Sequence, residues 1–500
     1  MLTVVICLYV INVILLFIYG MHTYLMVFWY NRHYKSCEIK HRYKNIYKNR
    51  HYRPVVTIQL PVFNEKYVVK RLIDSVIKMD YPKRLKQIQV LDDSTDETLE
   101  ITKKIVAKYK KKGFDISLIH RTLRTGHKGG ALREALPKAK GELIAIFDAD
   151  FIPARNFLKI TVPVFDEDPK IGMVQTRWGY LNAEYSLLTK AQALGIDGHF
   201  LIDQVARAGK NLFMNFNGTA GIWRKTCIID AGNWQDDTLT EDFDLSYRAE
   251  LKGWRFRYIK DVVNPSELPV IISAYKSQQF RWAKGSIQTA IKLLGRILRS
   301  KESFLTKFEA MIHLTYYSVH PLMLLNILLT LPVLGCNLLF FNKAILIPSF
   351  TLIAISTMGP IIFYAFSQYA LNKKEWMKRI LWVPLMVIIG TGIAVNNTRA
   401  IIEAIIGKKS EFVRTPKLGI KKRNDKWTNK KYAIHYEDLI VTVMEIGFAV
   451  YSFIIILQSL SLKRYYVVPF FLLYCMAFMY ILFKEFQEFL IIQKNKLQKV

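Results

Sequence analysis

The stretch Gln87–Glu100, QIQVLDDSTDETLE, contains the pattern that decides the fold. It begins with a short run rich in aliphatic residues, which predicts a strand, and the run ends at the paired acids Asp92 and Asp93. A helical pattern then starts at Glu97 and continues to Lys112. A strand that leads directly into a helix is the repeating unit of α/β domains.

The same unit recurs between Arg53 and Asp150. Strands are predicted at Val56–Pro61, Gln87–Leu91, Ile116–His120 and Leu143–Phe147, and helices near Lys66–Met79, Glu97–Lys112 and Lys128–Lys138. This alternation predicts an α/β domain with a mostly parallel sheet and helices on both faces. Ligands of such sheets bind at the carboxyl ends of the strands, and that is where this chain places its acidic residues.

Long apolar runs lie on both sides of this region, and most of them reach the roughly 20 residues that span a bilayer. They are Leu2–Tyr30, Met311–Phe341, Ala344–Leu371, Leu381–Val395, Leu439–Leu462 and Tyr465–Phe483. The intervening chain, from about Arg53 to Arg299, is long enough to bury its own core as one domain. The sequence therefore predicts one globular domain joined to an α-helical membrane region.

The positive charge of the chain is concentrated beside the apolar runs. Lys and Arg total 71 against 40 Asp and Glu, a formal net charge of +31. Basic residues crowd Arg32–Arg53, Lys373–Arg379 and Lys408–Lys431, which is the pattern of cytoplasmic flanks of membrane helices. We therefore expect a multi-pass protein of the plasma or inner membrane, with its globular domain and C-terminus in the cytoplasm. The bilayer, and not nucleic acid, is the expected partner of this charge.

Charge also limits the number of crossings. Because Lys373–Arg379 and Lys408–Lys431 are both expected inside, the segment Ile380–Ile406 must cross an even number of times. It is too short for two spans of about 20 residues each. The sequence therefore predicts five spans and one re-entrant or membrane-surface segment, bent at Gly390-Thr-Gly392.

Two acidic clusters follow predicted strands. Asp92 and Asp93 belong to VLDDSTD, a pattern that taken alone is more typical of a turn than of a binding site. Asp148 and Asp150 belong to IFDAD. Residues two apart on an extended chain point the same way, so these carboxylates could share a divalent cation such as Mg²⁺ or Mn²⁺, which favours oxygen ligands and substrate phosphates.

Two more clusters open predicted helices. Thr240 is a suitable N-cap, and Glu241 and Asp242 fall in the first turn, where the helix dipole favours acids whatever their function. A carboxylate held there inside a cleft could also accept a proton. Lys128, followed by two glycines in HKGGAL, combines a charge with close backbone approach, which suits a diphosphate.

In order and spacing, these clusters resemble the processive branch of glycosyltransferase family 2, the cellulose, mannan, chitin and hyaluronan synthases. The likeness is strongest to plant cellulose-synthase-like mannan or glucan synthases and their bacterial relatives. It covers essentially the whole chain and rests on QLPVFNE, QVLDDSTD, VQTRWG, FNGTAGIWR, TLTEDFDLSYRAELKGW and QQFRWAKG. The resemblance implies a GT-A-like nucleotide-diphospho-sugar transferase domain below a membrane channel.

The resemblance also implies roles for individual residues. The donor-binding residues would be Asn64, Glu65, Asp92, Asp93, Lys128, Gln278 and Arg281. The metal ligands would be Asp148 and Asp150, holding Mg²⁺ or Mn²⁺, and the general base would be Asp242. The acceptor-binding residues would be Asn217, Gly218, Thr219 and Trp282, with Trp282 as a stacking platform for a sugar. Phe412, Thr415 and Lys417 match the gating loop of the family, in which Arg414 replaces the usual valine.

The implied organisation divides the chain into eight parts. They are a transmembrane anchor (1–30), a basic juxtamembrane linker (31–53), the cytoplasmic glycosyltransferase domain (54–300), two transmembrane helices with a preceding interface helix (301–371), a re-entrant or interfacial segment (380–406), a basic cytoplasmic gating loop (407–437), a transmembrane hairpin (438–483) and a basic cytoplasmic tail (484–500).

The implied activity is inverting polymerisation of a β-linked hexose glycan, with β-1,4 the expected linkage, from GDP-mannose or UDP-glucose, and export of the product. A second candidate within the same chemistry adds one sugar to a lipid acceptor, as ceramide glucosyltransferases do. A third, an inactive transporter or receptor, predicts damage to at least one acidic cluster, whereas every cluster is intact. Accessory export subunits are not indicated by the residues.

Overall fold

The computed structural model of the protein describes residues 2–38, 52–335, 345–410, 413–428, 430 and 439–497. The chain begins with helix α1 (Leu2–His33), an apolar helix of 32 residues that ends in Arg32 and His33. At 1.5 Å per residue it is longer than the roughly 30 Å core of a bilayer. The cationic side chain of Arg32 complements the negative end of the helix dipole.

A seven-stranded sheet forms the centre of the α/β domain, in the order β3-β2-β1-β4-β6-β5-β7. The strands are β1 (Val56–Val62), β2 (Lys86–Asp92), β3 (Asp115–His120), β4 (Leu143–Ile146), β5 (Ile171–Tyr180), β6 (Gly221–Arg224) and β7 (Arg255–Ser266). Within the described residues, β6 runs antiparallel to both β4 and β5, and the other neighbouring pairs are parallel. The predicted mostly parallel sheet is confirmed.

Helices cover both faces of this sheet. They are α2 (Val69–Ile77), α3 (Thr98–Lys111), α4 (His127–Ala135), α5 (Phe157–Thr161), α6 (Leu187–Gly198), α7 (Gln204–Lys210), α8 (Lys225–Asp230) and α9 (Glu241–Leu251). Strand β4 shows the two-residue alternation expected of a sheet buried on both faces. Leu143 and Ala145 belong to one core, while Ile144 and Ile146 belong to a second core that also contains Trp29 at the end of α1.

The register of the strands brings the functional segments to one edge of the sheet. Val62 at the end of β1 pairs with Asp92 at the end of β2. Ile146, the last residue of β4, pairs with Gly221, the first residue of the antiparallel β6. The loop that precedes β6 therefore lies beside the segment that follows β4, so residues 217–219 reach Asp148.

A long helix, α10 (Ile272–Arg299), carries the QQFRW motif and leads into the membrane region. Its N-terminus is capped from a distant part of the chain. The carboxylate of Glu488 accepts hydrogen bonds from the backbone N–H of Ile272 and, at 3.3 Å, of Ser273. Glu488 lies on the last helix of the chain, so the start of α10 depends on a residue more than 200 positions away.

The remaining helices are α11 (Phe304–Thr315), α12 (Val319–Leu334), α13 (Ile347–Leu371), α14 (Trp376–Ile380), α15 (Val383–Gly392), α16 (Ala394–Ile405), α17 (Leu439–Ser461) and α18 (Val468–Leu497). Among the described residues, five stretches are long and apolar enough to cross a membrane: Thr3–Cys37, Phe304–Leu334, Ile347–Leu371, Leu439–Ser461 and Tyr465–Lys494.

The segment predicted to be re-entrant is a bent pair of helices. Trp376–Gly392 and Ala394–Ile405 meet at 43°. The polar residues of α16, which we expected at a membrane surface, are instead buried against α10. The side-chain amide of Asn396 donates to the carbonyl of Lys276 over 3.0 Å, and Lys284 Nζ lies 2.9 Å from Glu403 Oε2. Protein contacts therefore satisfy these polar groups.

Candidate active site

One group of charges surrounds the end of β4. Lys128, in the first turn of α4, places its Nζ 2.6 Å from Asp148 Oδ1 and 2.8 Å from the carbonyl oxygen of Gly218. Burial by itself lowers the pKa of Lys128, but the carboxylates of Asp148 and Glu241 more than offset this effect, and the pKa lies above its ordinary value. Lys128 is therefore a cation that joins helix α4, strand β4 and the loop before β6.

Asp242 lies in the first turn of α9, beside this group. Burial, reinforced by the adjacent charge of Glu241, raises its pKa above the ordinary value of an aspartate, and Lys128 acts against this shift. A carboxylate with a raised pKa is a better proton acceptor than an ordinary aspartate. The surroundings therefore suit Asp242 to the role of a base.

Gly218 allows the close approach of Asp242. Its φ of +75° lies in the left-handed region, and a Cβ atom there would lie 2.9 Å from Asp242 Oδ2 and 3.3 Å from Lys128 Nζ. Any other residue would crowd both groups and strain the backbone. The neighbouring hydroxyl of Thr219 accepts a hydrogen bond of 2.9 Å from the backbone N–H of Asp148, which ties the loop to the end of β4.

The prediction that Thr240 is the N-cap of α9 is correct for its position but not for its side-chain hydrogen bond. Thr240 occupies the N-cap position, but its side chain makes no capping hydrogen bond, and its buried hydroxyl has no partner within the described part of the chain. It packs instead against α10, where a Cβ on Gly285 would lie 2.5 Å from Thr240 Oγ1. The threonine therefore sets the distance between the two helices that carry Asp242 and Arg281.

Arg281 brings α10 to the same group. Burial lowers the pKa of its guanidinium, and the nearby carboxylates of Glu241, Asp148 and Asp242 act in the opposite direction. Gln278 and Trp282 are half-buried and lie one turn or less from Arg281 on this helix. At spacings of three and four residues Gln278 shares a helix face with the other two, as one surface for binding would require.

A second group of contacts surrounds Asp150 and involves residues 413–419, which we call the 413–419 segment. Lys417 Nζ lies 2.8 Å from Asp150 Oδ2, and Arg414 Nη1 lies 2.8 Å from Glu65 Oε1. The backbone N–H groups of Leu418 and Gly419 donate to the carboxylate of Glu267 over 2.9 and 2.8 Å. The segment thus lies across the ends of the strands.

The 413–419 segment also contacts α10, because Arg281 Nη2 donates to Thr415 Oγ1 over 3.1 Å. Thr415 is buried by these contacts. Phe412, the first of the three residues matched to the family's gating loop, lies outside the described residues.

The two acids of Asp-Ala-Asp face different lysines, Asp148 facing Lys128 and Asp150 facing Lys417. The argument that they share one face of an extended strand is wrong, because β4 ends at Ile146, before both. Over the described ranges, no three or more His, Cys, Asp or Glu side chains group as a metal site would require. Each lysine contact uses one of the two carboxylate oxygens, so the chemistry of the donor set still suits Mg²⁺ or Mn²⁺.

The residues at the end of β2 have mixed roles. Asp93 forms a paired salt bridge with Arg121, at 2.8 and 2.6 Å. Asn64 is held by Ser94 and Thr95, since its N–H donates to Ser94 Oγ over 2.8 Å and its Oδ1 accepts from the N–H of Thr95 over 2.9 Å. Both carboxylate oxygens of Asp93 are therefore engaged by Arg121, and Asn64 links the end of β1 to the turn after β2.

Asp92 differs from its neighbour. It is fully buried, and its Oδ1 accepts from the N–H of Ser94 over 2.8 Å. Its Oδ2 is buried without a hydrogen-bond partner in the described residues. A buried carboxylate oxygen without a donor is costly, so Asp92 Oδ2 is a candidate contact for a bound hydroxyl or N–H group.

Two arginines at this edge, Arg121 and Arg124, were missed by the sequence analysis. The guanidinium of Arg124 lies 3.6 Å above the centre of the Phe63 ring, and burial lowers the pKa of Arg124 to about 10. Its charge interacts with Asp93 and Glu65. The signal was present in RTLRTGHKGG, where two arginines precede the lysine-glycine motif.

Comparison with known proteins matches residues 54–285 to a glycosyltransferase-like family 2 domain. Glucomannan 4-beta-mannosyltransferase 1 of Cyamopsis tetragonoloba is 34% identical over 382 residues, which cover 74% of this chain and 70% of that protein. Probable glucomannan 4-beta-mannosyltransferase 11 of Oryza sativa subsp. japonica is 43% identical over 267 residues, covering 53% of this chain and 46% of that protein.

For several of these curated relatives, the matched part spans about half of their length. Among solved structures, mannosyltransferase PcManGT from Pyrobaculum calidifontis superposes with a TM-score of 0.52 at 20% identity, covering 80% of this chain and all of that one. This supports the GT-A-like fold of the α/β domain. The chain therefore belongs to glycosyltransferase family 2, in the cellulose-synthase-like group of the plant glucomannan mannosyltransferases.

Proposed function

We propose that the protein is an inverting hexosyltransferase that polymerises a β-1,4-linked glycan from a nucleotide sugar, with GDP-mannose as the first donor to test. One observation carries the proposal. Lys128 joins Asp148 and the 217–219 loop within 2.8 Å, and the charges of Lys128 and Arg281 both interact with Asp148, Glu241 and Asp242. Two cations and a base therefore meet where a sugar diphosphate and an acceptor hydroxyl would have to meet.

On the donor side, Lys128 and Arg281 hold the diphosphate. A guanidinium presents paired N–H donors to phosphate oxygens, and an ammonium adds a point charge. Asp92 Oδ2 takes a hydroxyl or N–H of the nucleoside, and Asn64 and Glu65 line the base with Arg124. GDP-mannose is favoured over UDP-glucose because the curated relatives are glucomannan mannosyltransferases and PcManGT was solved with GDP-mannose.

Asp148 and Asp150 are the residues that would hold Mg²⁺ or Mn²⁺, and PcManGT was solved with Mn²⁺. The ion would supply positive charge that stabilises the departing diphosphate. The protein contributes two carboxylates and two lysines, so it can also orient the diphosphate through its own cations.

Asp242 acts as the general base. It takes the proton of the acceptor hydroxyl while the oxygen attacks the anomeric carbon from the side opposite the diphosphate. The new C–O bond forms as the bond to the diphosphate oxygen breaks, and the electron pair leaves with the nucleoside diphosphate. An α-linked donor therefore gives a β-linked product.

On the acceptor side, residues 217–219 and Trp282 bind the growing glycan. Trp282 offers an aromatic face to the C–H groups of a pyranose, and the loop lies beside Asp242. The product is exported through the membrane helices, and the basic flanks of these helices support a cytoplasmic position of the α/β domain and the C-terminus. The 413–419 segment closes over the donor between successive additions.

The second candidate adds a single sugar to a lipid acceptor. The names of the relatives, which are polysaccharide transferases, favour polymerisation. The two candidates differ in their product, and a single assay separates them.

The test uses the purified protein with radiolabelled GDP-mannose or UDP-glucose, Mg²⁺ or Mn²⁺, and one of two acceptors, a β-1,4-mannooligosaccharide or a ceramide. We expect a ladder of products that a β-1,4-mannanase degrades. One lipid-soluble product would support single addition, and no transfer from any donor, in the presence of either acceptor, would contradict the proposal.

A further inference from the structure

A chain of polar contacts connects the first membrane helix to the α/β domain. His22 Nε2 of α1 lies 2.8 Å from Glu309 Oε2 of α11. The same oxygen lies 3.8 Å from Arg207 Nη2 of α7. Arg207 Nε in turn donates to Asp203 Oδ1 over 2.8 Å. His22, Glu309 and Arg207 are buried, so this path is enclosed by protein.

The path continues to the loop before β6. Asp203 Oδ2 lies 3.0 Å from His199 Nδ1, and His199 Nε2 lies 2.9 Å from the side-chain nitrogen of Asn217. His199 and Asp203 bound a single π-helical turn between α6 and α7. Such turns interrupt a regular helix and are frequent at functional sites. The side chain of His199 is 29% exposed, which distinguishes it from a core histidine.

The hydrogen bonds assign the proton of His199. Gln204 Nε2 donates to the carbonyl oxygen of Asn215 over 3.1 Å and to Asn217 Oδ1 over 3.1 Å. These two bonds use both hydrogens of Gln204 Nε2. They also make Asn217 Oδ1 an acceptor, so Asn217 Nδ2 presents an N–H group to His199 Nε2 over 2.9 Å. Nε2 must therefore be the acceptor, and the proton lies on Nδ1 and is donated to Asp203.

We propose that His199 is a positioning residue that sets the acceptor loop beside the base. Its Nε2 lone pair accepts a hydrogen bond from the side chain of Asn217. The next residue, Gly218, lies so close to Asp242 and Lys128 that an added Cβ would crowd both side chains. Asp203 holds the imidazole from the other side, and through Arg207 and Glu309 links it to the membrane helices. The inference rests on the proposed function, because it takes residues 217–219 as the acceptor site.

The experiment compares oligosaccharide and donor binding in the solubilised full-length protein by isothermal titration calorimetry, with β-1,4-mannotetraose and GDP-mannose as probes. His199→Ala should raise the Kd for mannotetraose about tenfold, the effect of one lost buried hydrogen bond, and leave the Kd for GDP-mannose unchanged. His199→Gln should recover most of the affinity, because its amide oxygen can accept from Asn217. His33→Gln, a histidine at the end of α1 outside the site, is the matched control.

A comparison of single and double variants distinguishes a specific effect of His199 from a general loss of folding. If His199 acts through Asn217, the double variant His199→Ala/Asn217→Ala should bind mannotetraose no more weakly than Asn217→Ala alone. Additive losses, equal losses for both ligands, or an unchanged Kd in His199→Ala would overturn the inference alone. A wild-type protein that binds mannotetraose in no condition would overturn the proposed function and the inference together.

Discussion

Asp148 and Asp150 stand two residues apart, yet their partners come from very different parts of the chain. Asp148 pairs with Lys128, 20 residues earlier and within the same α/β unit. Asp150 pairs with Lys417, 267 residues later, beyond the membrane helices α11 to α16. One half of the site is thus built into the sheet edge, and the other half is brought to it by the 413–419 segment. The two halves are therefore held in place by different parts of the chain.

The largest expected effect comes from the built-in half. Asp242→Asn should lower kcat by about a thousandfold, since a general base contributes about 10²–10⁴, while donor binding is retained. Steady-state assays with labelled GDP-mannose measure the loss, and Glu100→Gln, an exposed acid on α3, is the control. Turnover within tenfold of wild type would remove Asp242 from the role of base.

Gly218→Ala should lower kcat by about a hundredfold, because the new Cβ would lie 2.9 Å from Asp242 Oδ2 in a left-handed backbone conformation. Gly253→Ala is a matched control, since Gly253 also has a positive φ, of +84°, but no atom lies within 4 Å of its added Cβ. Comparing kcat and melting temperature of the two variants separates backbone strain from crowding of the base. Equal losses of kcat in both would show that strain alone explains the effect.

The half contributed by the 413–419 segment should respond more weakly and in a different parameter. Lys417→Ala removes the contact with Asp150, and we expect the KM for the donor to rise about tenfold with little change in melting temperature. Lys128→Ala should affect both donor KM and kcat, because Lys128 also holds the carbonyl of Gly218. If both variants changed the same parameters to the same extent, the division into two halves would be wrong.

The smallest expected effect concerns pH. Burial raises the pKa of Glu65 to about 7, against the opposing charge of Arg414, with Asp150 raising it and Lys417 lowering it. The carboxylate is therefore charged above about pH 7 and becomes protonated as pH falls, which weakens its pairing with Arg414. Donor KM should rise severalfold between pH 8 and pH 6 in the wild type.

Arg414→Val removes that pairing, so its donor KM should change less over the same range. Titrating donor KM against pH in both proteins provides the measurement. Parallel profiles would show that the contact between Arg414 and Glu65 does not control closure of the segment.

Local patterns were enough to predict much of the fold. The first four strands and the helices between them lie within a few residues of the predicted bounds. The spacing of hydrophobic residues, and the Gly or Asp residues at the ends of elements, are local signals. Strands β5, β6 and β7 were not predicted, and β6 is the hardest of them to find from sequence. Its four residues carry too little periodicity, and its direction is set by its neighbours β4 and β5.

The site was predicted less evenly. Asp148, Asp242 and Lys128 lie close together and their roles stay predictions, whereas Asp93 and Asn64 are held by Arg121, Ser94 and Thr95. Pairings such as that of Lys417 with Asp150 join residues too far apart for any local pattern to indicate them. His199 was missed because its role depends on a π-helical turn, which leaves no recognised mark in the sequence.

The cap that Glu488 provides to α10 has a consequence for biosynthesis. Helix α10 carries Arg281 and Trp282, but its first N–H groups donate to Glu488 of α18, which is synthesised more than 200 residues later. Lys276, on the next turn of α10, is likewise paired with Glu445 of α17 and Glu485 of α18. The start of α10 is therefore complete only after the hairpin of α17 and α18 has been made and has packed against it, so Arg281 and Trp282 gain their final support late in folding.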